Sequence, residues 1–177
     1  MNRQPIPIEK LVLRPQHLWA SQNLILTAGD WSHNHFNAMT VGWGSTGVMW
    51  NMPFVQVVVR PSRYTYEFLE RYDTFTLCAF PPEFAPAVQL IGNKSGRNGN
   101  KIAEAGLTPV ASTCVAAPSF AEAELVIECR KIYWDDMEPA HFLDPRIASR
   151  YPRHDYHRIY FGEILAVLGQ AHHQVRP

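Results

Sequence analysis

The chain is short of cysteine, of net charge and of long apolar runs, and each shortage removes a class of function. Its 177 residues hold only Cys78, Cys114 and Cys129. An odd number without a CxxC pair or metal-ligand spacing argues against a disulfide framework and a cysteine-built zinc site. All three lie in apolar or strand-like contexts and read as reduced core thiols of an intracellular protein. No run approaches the roughly 18 apolar residues of a membrane span, and the opening MNRQPIPIEKLVLRPQHLW has no sustained apolar segment of signal-peptide type. The expectation is a soluble, cytoplasmic protein without a membrane partner. Lys plus Arg equals Asp plus Glu at 16 each, so summed charge gives no reason to expect nucleic acid, although a local basic pocket is still permitted. No segment reads as a strand opening through a G-x-G-x-x-G fingerprint into a helix, so nothing here would hold the adenosine half of a dinucleotide. Internal repeats and low-complexity segments are also missing.

What is present points towards β-structure. Aromatics make up 12% of the chain and prolines number 14, a mixture that suits strands, turns and flat-ring contacts better than a helical bundle. The length fits a single domain over residues 1–177. Residues 1–16 form an extended arm, with a short strand over 9–13, and residues 169–177 form a polar tail. Strands are expected over 24–27, over 38–43, from 48 into the Val55 run with a break at Pro53, over 74–79, over 121–133 and from 157 to 169. A turn is expected over 44–47, a loop over PPEFAP and a short helix over 101–105. Residues 135–154 read as irregular, a lid or an excursion from the barrel. Together these make a mainly β, antiparallel, closed or partly closed barrel with a few short helices. A barrel of this size fills its interior with side chains, so a ligand belongs at its rim, against a second subunit.

The most informative stretch is FVQVVVRPSRYTYEFLERY, residues 54–72. Val55, Val57, Val58 and Val59 read as a buried strand, Pro61 ends it, and Ser62 offers a helix cap. Tyr66, Leu69 and Tyr72 then recur at helical spacing. The first turn of a helix carries main-chain N–H groups without intrahelical partners, and Ser62, Arg63 and Thr65 add hydroxyls and a guanidinium beside them. The result is an anion socket, or, on the plainer reading, a capped helix with solvated arginines. Downstream, IGNKSGRNGNKIAEAGL brings Lys94, Arg97 and Lys101 into one glycine-bearing loop.

Four motifs in order carry a resemblance: NAMTVGW at 37–43, RPSRYTYE at 60–67, SGR at 95–97 with Lys101 four residues on, and HRIYFGEI at 157–164. Together they resemble the flavin reductase-like family with the FMN-binding split barrel, over roughly residues 24–168. The resemblance implies that FMN phosphate sits at Ser62, Arg63 and Thr65, with Ser95, Arg97 and Lys101 supplied by the loop. It also implies that the isoalloxazine ring lies along Asn37, Ala38, Met39 and Thr40. The implied activity is that of an NAD(P)H:flavin reductase, with NADH or NADPH as donor. Similar proteins include reductase components of two-component monooxygenases, and the alternative is a flavoredoxin-like FMN electron carrier. A homodimer, with a monooxygenase or other redox protein as a further partner, belongs to the same expectation. One departure is Cys78 followed by Ala79, where many relatives carry asparagine.

Among the histidines, His157 is the catalytic candidate, shaping the nicotinamide or substrate pocket, against the plainer reading of a partly buried histidine at a strand end. His33 with His35, and His154 with His157, have no carboxylate or cysteine at diagnostic spacing, so no metal is expected. His172 and His173 read as idle residues of the polar tail. Trp31, Trp43 and Trp50 could stack on a flavin, with burial the commoner fate.

Overall fold

A computed structural model describes residues 2–175. Met1 of the expected arm and the last two residues of the expected tail lie outside the described residues. The chain opens on β1 (Gln4–Pro5) and a 3-10 turn at Ile8–Lys10, where a strand was expected. Pro5 and Pro7 remove ladder donors there, and only Leu11 makes an isolated bridge, to Gln174. Helix α1 (Pro15–His17) continues into a π turn at Leu18–Gln22 that buries Leu18 and Trp19. Then come β2 (Leu24–Asp30), β3 (His35–Val41), β4 (Gly44–Met49), β5 (Met52–Val59), α2 (Tyr64–Arg71), β6 (Thr74–Ala79), α3 (Ala85–Asn93) and α4 (Lys101–Glu104). The short β7 (Pro109–Val110) and β8 (Ser119–Phe120) precede β9 (Leu125–Asp136), α5 (Pro145–Ala148) and β10 (Arg158–Gly169).

The main sheet is antiparallel in the order β3-β2-β6-β9-β10-β5-β4, with β1 added on β10. It curls without closing, so β3 and β4 remain its two ends. Burial on both faces explains why its central strands β2, β6 and β9 are largely apolar, with the paired Thr27, Thr76 and Glu128 as buried polar exceptions. On one face Leu24, Leu26, Phe75, Leu77, Leu125 and Ile127 pack against Phe68 and Leu69 of α2. On the other, Ile25, Ala38, Cys78 and Val126 pack under Val88 and Ile91 of α3. Both faces are therefore covered by apolar packing. Cys78 and Cys129 are core thiols as expected, but Cys114 is exposed and lies against the carboxylate of the buried Glu128.

Helix α3 stands where the sequence reading placed no helix, only a loop or short turn over PPEFAP. Prolines punctuate its approach, yet Pro86 falls in its first turn, where a missing N–H costs nothing. The β4–β5 turn also differs from expectation. It is the two-residue Trp50–Asn51, both with positive φ (54° and 58°), closing between the paired Met49 and Met52. Gly44, assigned to a turn by its sequence, is instead a strand residue facing Trp19: an added Cβ would stand 2.5 Å from the indole. The letters Gly42-x-Gly44-x-x-Gly47 do spell a nucleotide fingerprint. They run from the end of β3 through β4 with no helix after them, which is the wrong setting for a pyrophosphate loop. Pro53 does not break β5, because it pairs with Val48 of the end strand while the ladder to β10 begins only at Phe54.

Candidate functional site

The groove that concerns function is built on the end strand of the sheet. Among the described residues β3 has a strand neighbour only in β2, so its other main-chain edge is not part of a ladder there. The last residues of β3 and the two that follow, Met39 to Trp43, form part of a groove of about 600 Å³. The same groove is lined by Arg60 and Arg63 at the strand-to-helix corner, by Gln89, Gly92 and Asn93 of α3, and by His157 just before β10. Thr40 is fixed by donating from its hydroxyl to the Val88 carbonyl (2.6 Å).

The strand-to-helix corner and the glycine-bearing loop meet. Arg97 Nη1 lies 3.5 Å from the Ser62 carbonyl, its guanidinium sits 4.7 Å above the Tyr64 ring, and it pairs with Glu67. Gly96 is pressed so closely on the corner that an added Cβ would stand 2.2 Å from Asn37 Oδ1. Ser95 accepts from the Arg97 N–H (3.3 Å), holding the loop's own turn. Arg63 donates to the Gly92 carbonyl (3.1 Å), tying the corner to the end of α3.

Helix α2 begins one residue later than expected. Arg63 occupies the N-cap position without a side-chain cap, and the Ser62 hydroxyl donates to Asp155 (3.2 Å) instead. Of the residues expected to touch a ligand, Met39, Thr40, Arg63 and His157 line the groove. Asn37 and Thr65 are buried beneath the corner, the asparagine amide donating to the threonine hydroxyl (2.7 Å). Ala38 faces the core under α3. Lys101 is buried, and its Nζ donates to the carbonyls of Ile91 (2.8 Å) and Lys94 (2.9 Å) at the end of α3. Burial, with some repulsion from Arg63, pulls its pKa down to about 8.

His157 is 8% exposed. Its Nδ1 lies 2.8 Å from the Tyr151 hydroxyl, and its ring centre 5.2 Å from that of Trp43. Burial, then the positive charge of Arg60, lowers its pKa to about 4, so the ring is neutral near pH 7. Arg60, merely solvated on the plainer reading of the sequence, pairs with Asp155 (2.6 Å), donates to the Arg150 carbonyl (2.9 Å) and lies 4.8 Å over the Tyr151 ring. The excursion between β9 and β10 is thus a wall pinned to the groove. Sequence reasoning missed Gln89 and Asn93 because it missed α3, and missed Asp155 because a contact 95 residues away leaves no local signal. Trp31, Trp43 and Trp50 are exposed at 39%, 48% and 54%, so none of them fills the core of the chain, and Trp43 lines the groove.

Comparisons with known proteins agree with this architecture. The chain is similar in structure to flavoredoxin of Desulfovibrio vulgaris (Miyazaki F), at 22% identity and a TM-score of 0.66, covering 88% of this chain and 73% of that one. It is similar to nitrilotriacetate monooxygenase component B from Bacillus cereus, at 16% identity and a TM-score of 0.66, covering 89% and 75%. An NADH:FAD oxidoreductase from Streptomyces globisporus matches at 16% identity and a TM-score of 0.64, covering 86% and 78%. These likenesses establish the split-barrel fold. No curated protein matches the sequence. Among the described residues no helix is long and apolar enough to cross a membrane. The family model of the flavin reductase like domain matches residues 17–176, and the chain belongs to that family.

Proposed function

We propose that this protein is an FMN-dependent oxidoreductase of the NAD(P)H:flavin reductase type, in which hydride passes from NADH or NADPH to the flavin. One observation carries the reading: the unpaired edge of β3 at Met39–Val41 shares a groove with two arginines and a neutral histidine. At about 600 Å³ the groove has the size of a small-ligand site. Its main-chain edge suits the hydrogen-bonding rim of a flat heterocycle, and its cations suit an anionic tail.

When bound, the flavin supplies the redox chemistry. The chain's own part is to hold and orient. Asn37 and Ala38 set the strand from below, and Met39 and Thr40 present it to the ring. Ser62, Arg63, Ser95 and Arg97 would hold the phosphate, joined by the first-turn main-chain N–H of Thr65, whose hydroxyl accepts from Asn37. Lys101 supports that cradle from inside through Ile91 and Lys94. His157 is the catalytic candidate, a neutral hydrogen-bonding wall for the nicotinamide.

A homodimer fits the exposed aromatic side chains Trp50 and Tyr133, whose ring centres lie 5.8 Å apart and which a second copy would cover. None of the three cysteines is in a disulfide, which suits a reducing cytoplasm. A monooxygenase that consumes reduced flavin is a fitting partner.

The test is the visible spectrum of the purified protein with and without added FMN, followed by anaerobic titration with NADH and NADPH. Bleaching by either nicotinamide supports the enzyme. Bleaching only by a reduced partner protein assigns the chain to the carriers, like the flavoredoxin it resembles. A colourless protein that takes up no FMN overturns both.

A further inference from the structure

A second cavity, of about 510 Å³, lies between the N-terminal arm, the approach to α3 and the C-terminal turn. On its wall stand Glu124, at the entrance of β9, and His172 and His173, in the 3-10 turn after β10. Far from being idle, His173 is buried at 8% exposure, and its Nε2 has no hydrogen-bond partner among the described residues. Such an orphaned buried nitrogen is costly unless something else engages it. The ligand-type atoms of the three residues all lie within 4.8 Å of one another, with His172 Nε2 3.7 Å and His173 Nε2 4.0 Å from the two Glu124 oxygens.

Those separations are informative. A direct charged hydrogen bond would close to about 2.7–2.9 Å. Nitrogen and oxygen ligands placed about 2.0–2.2 Å from one zinc ion at tetrahedral angles stand about 3.4 Å from each other. The observed gaps are too long for a direct histidine–carboxylate hydrogen bond and somewhat wider than the spacing around a bound ion, so the three groups stand close enough to converge on one through small side-chain rotations.

We propose that Glu124, His172 and His173 form a binding site for a divalent transition metal of the zinc class, open towards the cavity in its fourth position. Two imidazoles and one carboxylate are a ligand set suited to such an ion. The supporting shell is in place. Gln22 Nε2 donates to Glu124 Oε1 (2.6 Å) and to the Phe80 carbonyl (2.7 Å), fixing the carboxylate's orientation. Main-chain bonds from Gln170 N–H to the Glu124 carbonyl (3.0 Å) and from Val12 N–H to the His173 carbonyl (2.8 Å) hold the turn against β9 and the arm. Only His172 is well exposed, so its ring has room to close the remaining gap.

The proposal is tested on the full chain, stripped of metal, by titrating Zn²⁺ against a fluorescent chelator. The titration is repeated for His172→Ala and Glu124→Gln, with His33→Ala as a control. The expected result is one Zn²⁺ per chain, at least tenfold weaker in both site variants and unchanged in the control. Co²⁺ in place of Zn²⁺ should give the visible absorption of a four-coordinate nitrogen and oxygen site, lost in His172→Ala. Circular dichroism of the metal-free proteins shows whether the variants fold, and exposed His172 is the position least able to disturb folding. No stoichiometric uptake, or uptake that either site variant leaves unchanged, overturns the proposal.

Discussion

The Tyr151 hydroxyl lies 2.8 Å from Nδ1 of His157, in a contact buried between the excursion after β9 and the groove. The same hydroxyl is 3.2 Å from Met137 Sδ. Because a thioether is a weak acceptor, the hydroxyl proton is better placed on Nδ1, which leaves Nε2 as the ring's N–H donor. Neutrality of the ring follows from its surroundings. Burial and Arg60 oppose protonation more than Asp155 favours it, and the pKa falls from 6.5 to about 4.

That depression predicts an acid-labile contribution to stability. Above the unfolded value the ring is neutral in both states and folding is unaffected. As pH falls, the unfolded state gains the proton first, so stability is lost through the window from about 6.5 down to about 4. Between about pH 7.5 and pH 4.5 the loss assigned to His157 is about 2–3 kcal/mol. Denaturant unfolding of wild type and His157→Gln at both pH values checks it, and the difference between the two proteins should narrow on acidification. A constant difference would contradict the assignment.

The corner arginines are expected to govern flavin affinity. Charge-assisted hydrogen bonds contribute about 1.5–3 kcal/mol each, so Arg63→Ala and Arg97→Ala should each weaken FMN binding by roughly ten- to a hundredfold. Riboflavin, which has no phosphate, should be little affected by Arg97→Ala. Fluorescence quenching titrations with both flavins make the comparison.

Gly96 is required by a close approach. Its Cβ position is 2.2 Å from Asn37 Oδ1 and 3.2 Å from the Tyr64 ring. Gly96→Ala should therefore push the loop off the corner, costing about 1–3 kcal/mol. Thermal unfolding should show the lower midpoint, and FMN titration should show weakened binding at temperatures where the variant is still folded.

Lys101 separates support from contact. Lys101→Met leaves the Ile91 and Lys94 carbonyls without their ammonium donor, at a cost of about 1–3 kcal/mol. In the folded variant, FMN affinity should fall much less than in Arg63→Ala. Equal losses in the two variants would make Lys101 a direct phosphate ligand.

Much of the sheet was legible from the chain alone, because strand geometry writes itself into the sequence. The β-branched run of β5 and the apolar β6 and β9 follow from period-two side chains with both faces buried. The helix after Pro61 announced itself by spacing, and the order of the four motifs pointed to the family. Helix α3 was hidden because the prolines before it read as loop signals, and with it went Gln89 and Asn93. The hairpin turn was misplaced because Gly44 of β4 answers to Trp19, a packing partner 25 positions before it, and Gly47 to Phe54 across the ladder, rather than to a local bend.

What the sequence by itself determined was the class of fold, the strand-to-helix corner and the basic loop, all written in residues close together along the chain. Tertiary structure alone decided that Lys101 turns inward, that Asp155 anchors Arg60, and that His173 is buried beside Glu124. Those contacts join residues separated by up to 95 positions, brought together by burial of apolar surface on both faces of one sheet. Burial of that kind favours compact packing without encoding which polar partners meet, so local sequence carries no trace of the pairings.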